Sequence, residues 1–222
     1  GNYSLDALTS GDDNTVVGYE AGTGLTTGSA NTIIGKNAGQ GALTGSDNTV
    51  VGKIAGFALT SGHSNTLIGR HAASALTTGL RNVALGMGAN DSGADGENDN
   101  IAIGYNAMAA ASLAGAEYNV AIGNTSLDAL TSGDNNTAIG HAAFSSLTTG
   151  TENLAVGYQT GLLTTTGDYV TFVGSNAGYN NTTGANNTAL GRFAYGGADT
   201  ESNNTAIGVN ALSGSIAGGE YN

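Results

Sequence analysis

Apolar and polar positions along this chain come in short bursts that repeat from one end to the other. The unit is Asn-Thr-x-aliphatic-Gly, as in Asn31-Thr32-Ile33-Ile34-Gly35 and Asn136-Thr137-Ala138-Ile139-Gly140. Its glycines fall at Gly18, Gly35, Gly52, Gly69, Gly86, Gly104, Gly123, Gly140, Gly157, Gly174, Gly191 and Gly208. The interval is 17 residues except for one of 18, ending at Gly104, and one of 19, ending at Gly123. Seventeen residues are too few for a helix pair, which needs ~33 or more per repeat. A β-branched run bounded by Asn and Gly reads instead as a short strand ending at a residue able to take positive φ. A second segment, Leu25-Thr26-Thr27-Gly28 or Leu147-Thr148-Thr149-Gly150, reads as a second strand and turn. The pattern predicts an all-β chain with no helix of consequence. It is a parallel β-roll or β-solenoid of about thirteen 17-residue rungs, with residues 1–222 forming one domain. Gly1 stands in register with Gly18, so the chain reads as an excerpt of a longer array.

Each column of the repeat then receives an expected place. The residue before the motif glycine is always a bulky aliphatic, including Val17, Ile34, Val51, Ile68, Ile103, Ile122, Ile139 and Ile207. These are expected to fill the core. The residue one earlier must point the opposite way, because side chains alternate along a strand. It is Val16, Ile33, Val50, Leu67 and Phe172 in five units and Ala in the other seven, never polar. These residues are expected to form an interface between chains, since so long an apolar stripe is unfavourable in water. The Asn that opens eleven of the twelve motifs is expected to serve turn chemistry as a stacked row.

Composition narrows the function classes. Seventeen acids against five bases give a formal charge of -12, which argues against nucleic acid and anionic membrane surfaces as partners. No run approaches the ~18 apolar residues of a membrane span, so membrane insertion is not expected, and no signal-peptide pattern opens the chain. With no Cys there is no disulfide framework and no thiolate metal site. His63, His71 and His141 occupy different columns, and the abundant Ser and Thr belong to the repeat. Neither catalytic residues nor an organic cofactor is expected. Asp95, Glu97 and Asp99 lie in a Gly-rich loop where hard oxygens could hold Ca²⁺; a solvated loop is the simpler reading. Lys36, Lys53, Arg70 and Arg192 share the column after the motif glycine, a conceivable site for an acidic glycan. The Thr rows raise ice binding as a further alternative, weakened where the Thr pair lapses. A carbohydrate-active solenoid enzyme would need clustered acids that these columns lack.

The unit Asn136-Thr137-Ala138-Ile139-Gly140-His141-Ala142-Ala143 resembles the head repeats of trimeric autotransporter adhesins. In its Leu-Thr-Thr-Gly segments the chain is more similar to repeats of bacteriophage tail-fibre proteins and related bacterial surface proteins. The resemblance spans the whole chain, which departs from the adhesin pattern in preferring Thr to Ser and in its uniform spacing. It implies a left-handed roll and, with the apolar alternate face, a homotrimer. The implied function is a structural or adhesive fibre segment that spaces or presents a receptor-binding tip. Its place would be extracellular, on a virion tail fibre or a bacterial cell surface, with a glycan or protein receptor as the outside partner. The alternative is a surface module binding glycan, Ca²⁺ or ice.

Overall fold

The computed structural model describes residues 1–91, 96–110, 115–197 and 199–214. It contains twelve strands of three residues each: β1 Thr15–Val17, β2 Thr32–Ile34, β3 Thr49–Val51, β4 Thr66–Ile68, β5 Val83–Leu85, β6 Ile101–Ile103, β7 Val120–Ile122, β8 Thr137–Ile139, β9 Leu154–Val156, β10 Thr171–Val173, β11 Thr188–Leu190 and β12 Thr205–Ile207. They form a single parallel sheet in sequence order, β1 beside β2 and so on to β12. The register keeps motif positions together, with Thr32 opposite Thr49, Ile33 opposite Val50 and Ile34 opposite Val51. The longer repeats do not disturb it, since Val83 still faces Ile101 and Ile101 faces Val120. No helix among the described residues is long and apolar enough to cross a membrane.

Two expectations need correction. The twelve strands mark about eleven full turns where about thirteen rungs are expected, because residues 1–14 contribute turns and bends but no strand. The Leu-Thr-Thr-Gly segments are bends, not a second strand. They are still tied from rung to rung: Thr9 N–H donates to Thr26 O (2.9 Å), Thr26 N–H to Leu43 O (3.0 Å) and Thr60 N–H to Thr77 O (2.8 Å). Threonine hydroxyls add to this, Thr131 Oγ1 donating to Thr148 O (2.9 Å) and Thr148 Oγ1 to Thr165 O (3.0 Å).

A third correction exchanges the two apolar columns. Ile33, Val50, Leu67 and Phe172 are fully buried in the interior, and Val16 packs on the same core at its N-terminal end. The expected core residues Val17, Ile34, Val51, Ile68, Ile103, Ile122, Ile139 and Ile207 point outward and are exposed or half-buried. The first strand position carries the physical reason. By alternation it shares a face with the third, and in eight rungs it is Thr, which solvates readily. The middle position tolerates Ala inside because the opposite corner supplies the missing volume. Four residues after the motif glycine, Met108, Leu127, Phe144 and Tyr195 are buried opposite Ala102, Ala121, Ala138 and Ala189.

An asparagine ladder lines one inner corner. Asn31 donates through its N–H and Nδ2 to Asn14 Oδ1 (2.9 and 3.2 Å) and through Nδ2 to Gly45 O (3.0 Å). Asn48, Asn65, Asn82, Asn100, Asn119, Asn136 and Asn153 follow in turn, each N–H donating to the preceding Asn Oδ1. These side chains satisfy corner amides and carbonyls that burial would otherwise leave without partners. The row is the turn chemistry expected of it. The motif glycines form a second column whose small size is required by stacking: a Cβ on Gly35 would collide with the carbonyl of Gly52.

Candidate functional site: the outward sheet face

The first and third residues of each strand look away from the core, so twelve rungs build one outward face. Its first row is Thr15, Thr32, Thr49 and Thr66, then Val83, Ile101 and Val120, with Thr returning in β8, β10, β11 and β12. The second row is aliphatic throughout. Val17 is 56% exposed at one end, Leu85 43% in the middle and Ile207 66% at the other end. β-Branched residues suit a pleated strand, which explains the composition of both rows locally. A soluble single-sided sheet would alternate apolar inward and polar outward. This one is apolar inward and half apolar outward.

Charged columns border the face, one on each side. The residue before the motif Asn takes the left-handed region in every rung, as at Asp13 (φ 58), Asp47 (φ 61) and Glu152 (φ 56). Asp13, Asp47 and Glu152 are exposed there. Asn135 and Glu152 line a shallow groove with Thr137, Asn153 and Leu154, which places this column against the first outward row. The same column holds Arg81 and Asp99, joined by Nε to Oδ1 (2.6 Å) and Nη2 to Oδ2 (2.7 Å). That hydrogen-bonded guanidinium lowers the Asp99 pKa, and Asp99 raises that of Arg81.

The other border follows the motif glycine. Lys36, Lys53 and Arg70 occupy three consecutive rungs and are exposed; Arg192 lies seven rungs beyond Arg70. Rings interleave with them. Lys36 Nζ lies 5.5 Å from the centroid of Tyr19, and His141 stacks on Tyr158 at 5.4 Å. The Tyr19 hydroxyl donates to the Glu20 carboxylate, and that hydrogen bond with the carboxylate's charge raises the Tyr19 pKa. Arg81–Asp99 is the salt bridge found among the described residues, so Lys36, Lys53 and Arg70 have no carboxylate within bonding reach of their charged ends.

Of the proposed calcium ligands, Glu97 and Asp99 lie among the described residues. Asp95 lies outside them, Glu97 is fully buried, and Asp99 commits both carboxylate oxygens to Arg81. No group of three His, Asp or Glu side chains with metal-binding geometry occurs there. The three histidines stay in separate columns; His141 is the one against an aromatic ring. Sequence reasoning missed a polar interior near β10–β12. Tyr195 is fully buried, its hydroxyl donating to Glu201 O (2.7 Å) and accepting from Asn204 Nδ2 (3.2 Å). Burial pushes its pKa up to about 12. Asn187 Nδ2 reaches Asn181 Oδ1 (3.3 Å) where Val170 interrupts the asparagine ladder. The signal was present in the break itself: Val170 departs from the column, and Asn181 stands where other rungs carry Leu. Asn90 is buried in the bulky corner column with no partner for its amide among the described residues, and no contact explains it. No protein-family model, curated protein or solved structure matches the chain.

Proposed function

We propose that this chain is a non-catalytic fibre segment whose copies associate through the outward sheet face into a homotrimeric rod. The rod spaces or presents a receptor-binding tip, on a virion tail fibre or a bacterial surface. One observation carries the reading: a Thr and aliphatic face runs unbroken along twelve strands, and no other described segment packs on it. Exposed apolar patches of that extent mark interaction sites. Three-residue strands also make a thin rung, and stacking rungs whose contacts are only with neighbours builds length and stiffness. The trimeric state and the extracellular setting rest on the resemblance to adhesin heads and tail fibres.

Sedimentation equilibrium at micromolar concentration tests the association. The expected mass is three times that of the chain, and Ile68→Asp is expected to give monomers with an unchanged circular dichroism spectrum. A monomeric wild-type chain would overturn the proposal. A second reading, an acidic-glycan binding module, draws on the unpaired column Lys36–Lys53–Arg70; glycan-array binding lost in Lys53→Ala would favour it. Ice binding by the Leu-Thr-Thr segments draws less support, because Thr60, Thr131, Thr148 and Thr165 already donate their hydroxyls to the neighbouring rung.

A further inference from the structure

We infer that copies of this chain associate parallel and in register, the basic border of each against the acidic border of the next, with Lys53 of one copy paired to Asp47 of its neighbour. The inference rests on the face-to-face association proposed above and adds its direction and its register.

The two borders of the face differ in sign. The column after the motif glycine carries Lys36, Lys53, Arg70 and Arg192 and no acid in any of the twelve rungs. The column before the motif Asn carries Asp13, Asp47, Asp99 and Glu152; its one base, Arg81, is already neutralised by Asp99. When two such faces meet with their strands' stacking axes parallel, the basic border of one lies along the acidic border of the other. The same holds around any closed ring whose axis runs along the rod. Antiparallel packing does the reverse. It brings like borders together and, with the two rods centred, sets Lys36 of rung two opposite Arg192 of rung eleven. In a protein of net charge -12, three consecutive cations with no carboxylate in bonding reach among the described residues point to acids supplied from outside the chain. Opposite potentials across an interface fix register and suppress wrong arrangements.

Closure fixes the register. A cyclic assembly contains no translation along its axis, because a shift at each step would open the ring into a helix. Equivalent rungs then lie at equal height, and rung three places Lys53 opposite Asp47. No rung sets like charges opposite one another in this arrangement. Lys36 and Arg70 each lie one rung, ~4.8 Å, from Asp47. A displacement of one rung in one direction would put Arg70 opposite Arg81; in the other it would pair Lys36 with Asp13 and Arg70 with Asp47, and ring closure alone excludes that stagger. Eleven spacings make the face roughly 55 Å long, and with its borders about 15–20 Å wide. That gives roughly 800–1,100 Å² per copy, the area of a stable interface.

The chain has no cysteine, so disulfide trapping reads the geometry directly. Asp47 and Lys53 flank a strand from opposite sides, too far apart for a bridge within one chain, which needs Cα atoms within ~7 Å. Oxidised Asp47→Cys/Lys53→Cys is expected to convert most chains to covalent oligomers. Asp47→Cys/Arg70→Cys, the one-rung stagger, and Lys36→Cys/Arg192→Cys, the antiparallel pair, are expected to stay largely uncrosslinked. Lys53→Glu is expected to weaken association about tenfold or more, and Asp47→Lys/Lys53→Glu to restore it. An assembled protein that crosslinks through either of the other pairs, or through none, overturns the inference while the fibre reading stands. A charge reversal without effect overturns the ionic pairing. A monomeric wild type would instead sink the fibre reading first.

Discussion

Rungs β2–β4 and rungs β6–β8 fill the same interior from opposite sides. In the first group the strand supplies Ile33, Val50 and Leu67, and the facing corner is Gly39, Gly56 and Ala73. In the second the strand supplies only Ala102, Ala121 and Ala138, and the corner carries Met108, Leu127 and Phe144. Both corners use the left-handed region, Gly39 at φ 54 and Phe144 at φ 50, so backbone geometry does not decide which residue stands there. Volume does. A Cβ on Gly39 would come within 3.1 Å of Ile33, and one on Gly56 within 3.0 Å of Leu67. In both groups the sum of strand and corner is kept rather than either residue, as expected of interiors packed to crystal-like density. Rung β9 extends the rule to neighbours. Ala155 and Gly161 are both small, and the rings of Phe144 and Phe172 approach to 6.2 Å across that rung.

The comparison can be broken by moving volume to the wrong side. Gly178 faces Phe172, and a side chain there would strike the ring. Gly178→Phe alone is expected to abolish cooperative urea unfolding. Phe172→Ala/Gly178→Phe, which copies the β8 arrangement, is expected to recover it. Failure of the double variant would show that rungs are not interchangeable. Removing volume comes next. Phe144→Ala should cost about 3–5 kcal/mol, since neither Ala138 nor Gly161 can fill the space. Asn65→Ala tests the contribution that both groups of rungs share. It strips the acceptor from Asn82 N–H and the donor from Gly79 O, an expected loss of about 2–3 kcal/mol for buried groups left unpaired.

Tyr195 sharpens the comparison at the polar end of the rod. Its pKa is raised in the folded chain to about 12 against an ordinary 10.0. The folded state therefore holds the phenol proton more tightly than the unfolded state does. This contribution is intact below pH ~10 and is lost as pH rises towards 12, by about 2 kcal/mol at most. Thermal melts of wild type between those values should fall more steeply than those of Tyr195→Phe. Parallel slopes would show that the hydroxyl is not the titrating group. The smallest effect belongs to the outward face: Ile34→Thr should change the stability of an isolated chain by less than about 0.5 kcal/mol.

The repeat made the architecture legible because hydrogen-bonded neighbours in the sheet are also neighbours in the periodic alignment. The asparagine column and the exposed basic column were legible for the same reason. What failed was the choice of inside and outside. A strand of three residues offers one residue to one face and two to the other, and here both sets are apolar. The deciding evidence was the Thr of the first row, which shares a side with Val17 and Ile34 and identifies it as the wetter one. The middle position reads as the outer one because the next column is bulky throughout while seven of its own twelve residues are Ala. Phe144 and Leu127, which complete that core, lie six residues further along, beyond the reach of strand alternation. The polar cluster around Tyr195 was hidden similarly, since its members come from three separate segments of a rung.

The lengthened repeats carry a last consequence. Asn82 Nδ2 reaches Glu97 O and Asn100 Nδ2 reaches Ala116 O, fifteen and sixteen residues on, where regular rungs span fourteen. The extra residues thus fall in sequence between Asn90 and Glu97 and between Met108 and Ala116, and the pairing from β5 to β7 continues unshifted. The fold behaves as a ruler with a fixed graduation. Whole units added or deleted change its length in steps of ~4.8 Å. Insertions between a unit's corner and its next Asn leave the measuring edge unaltered.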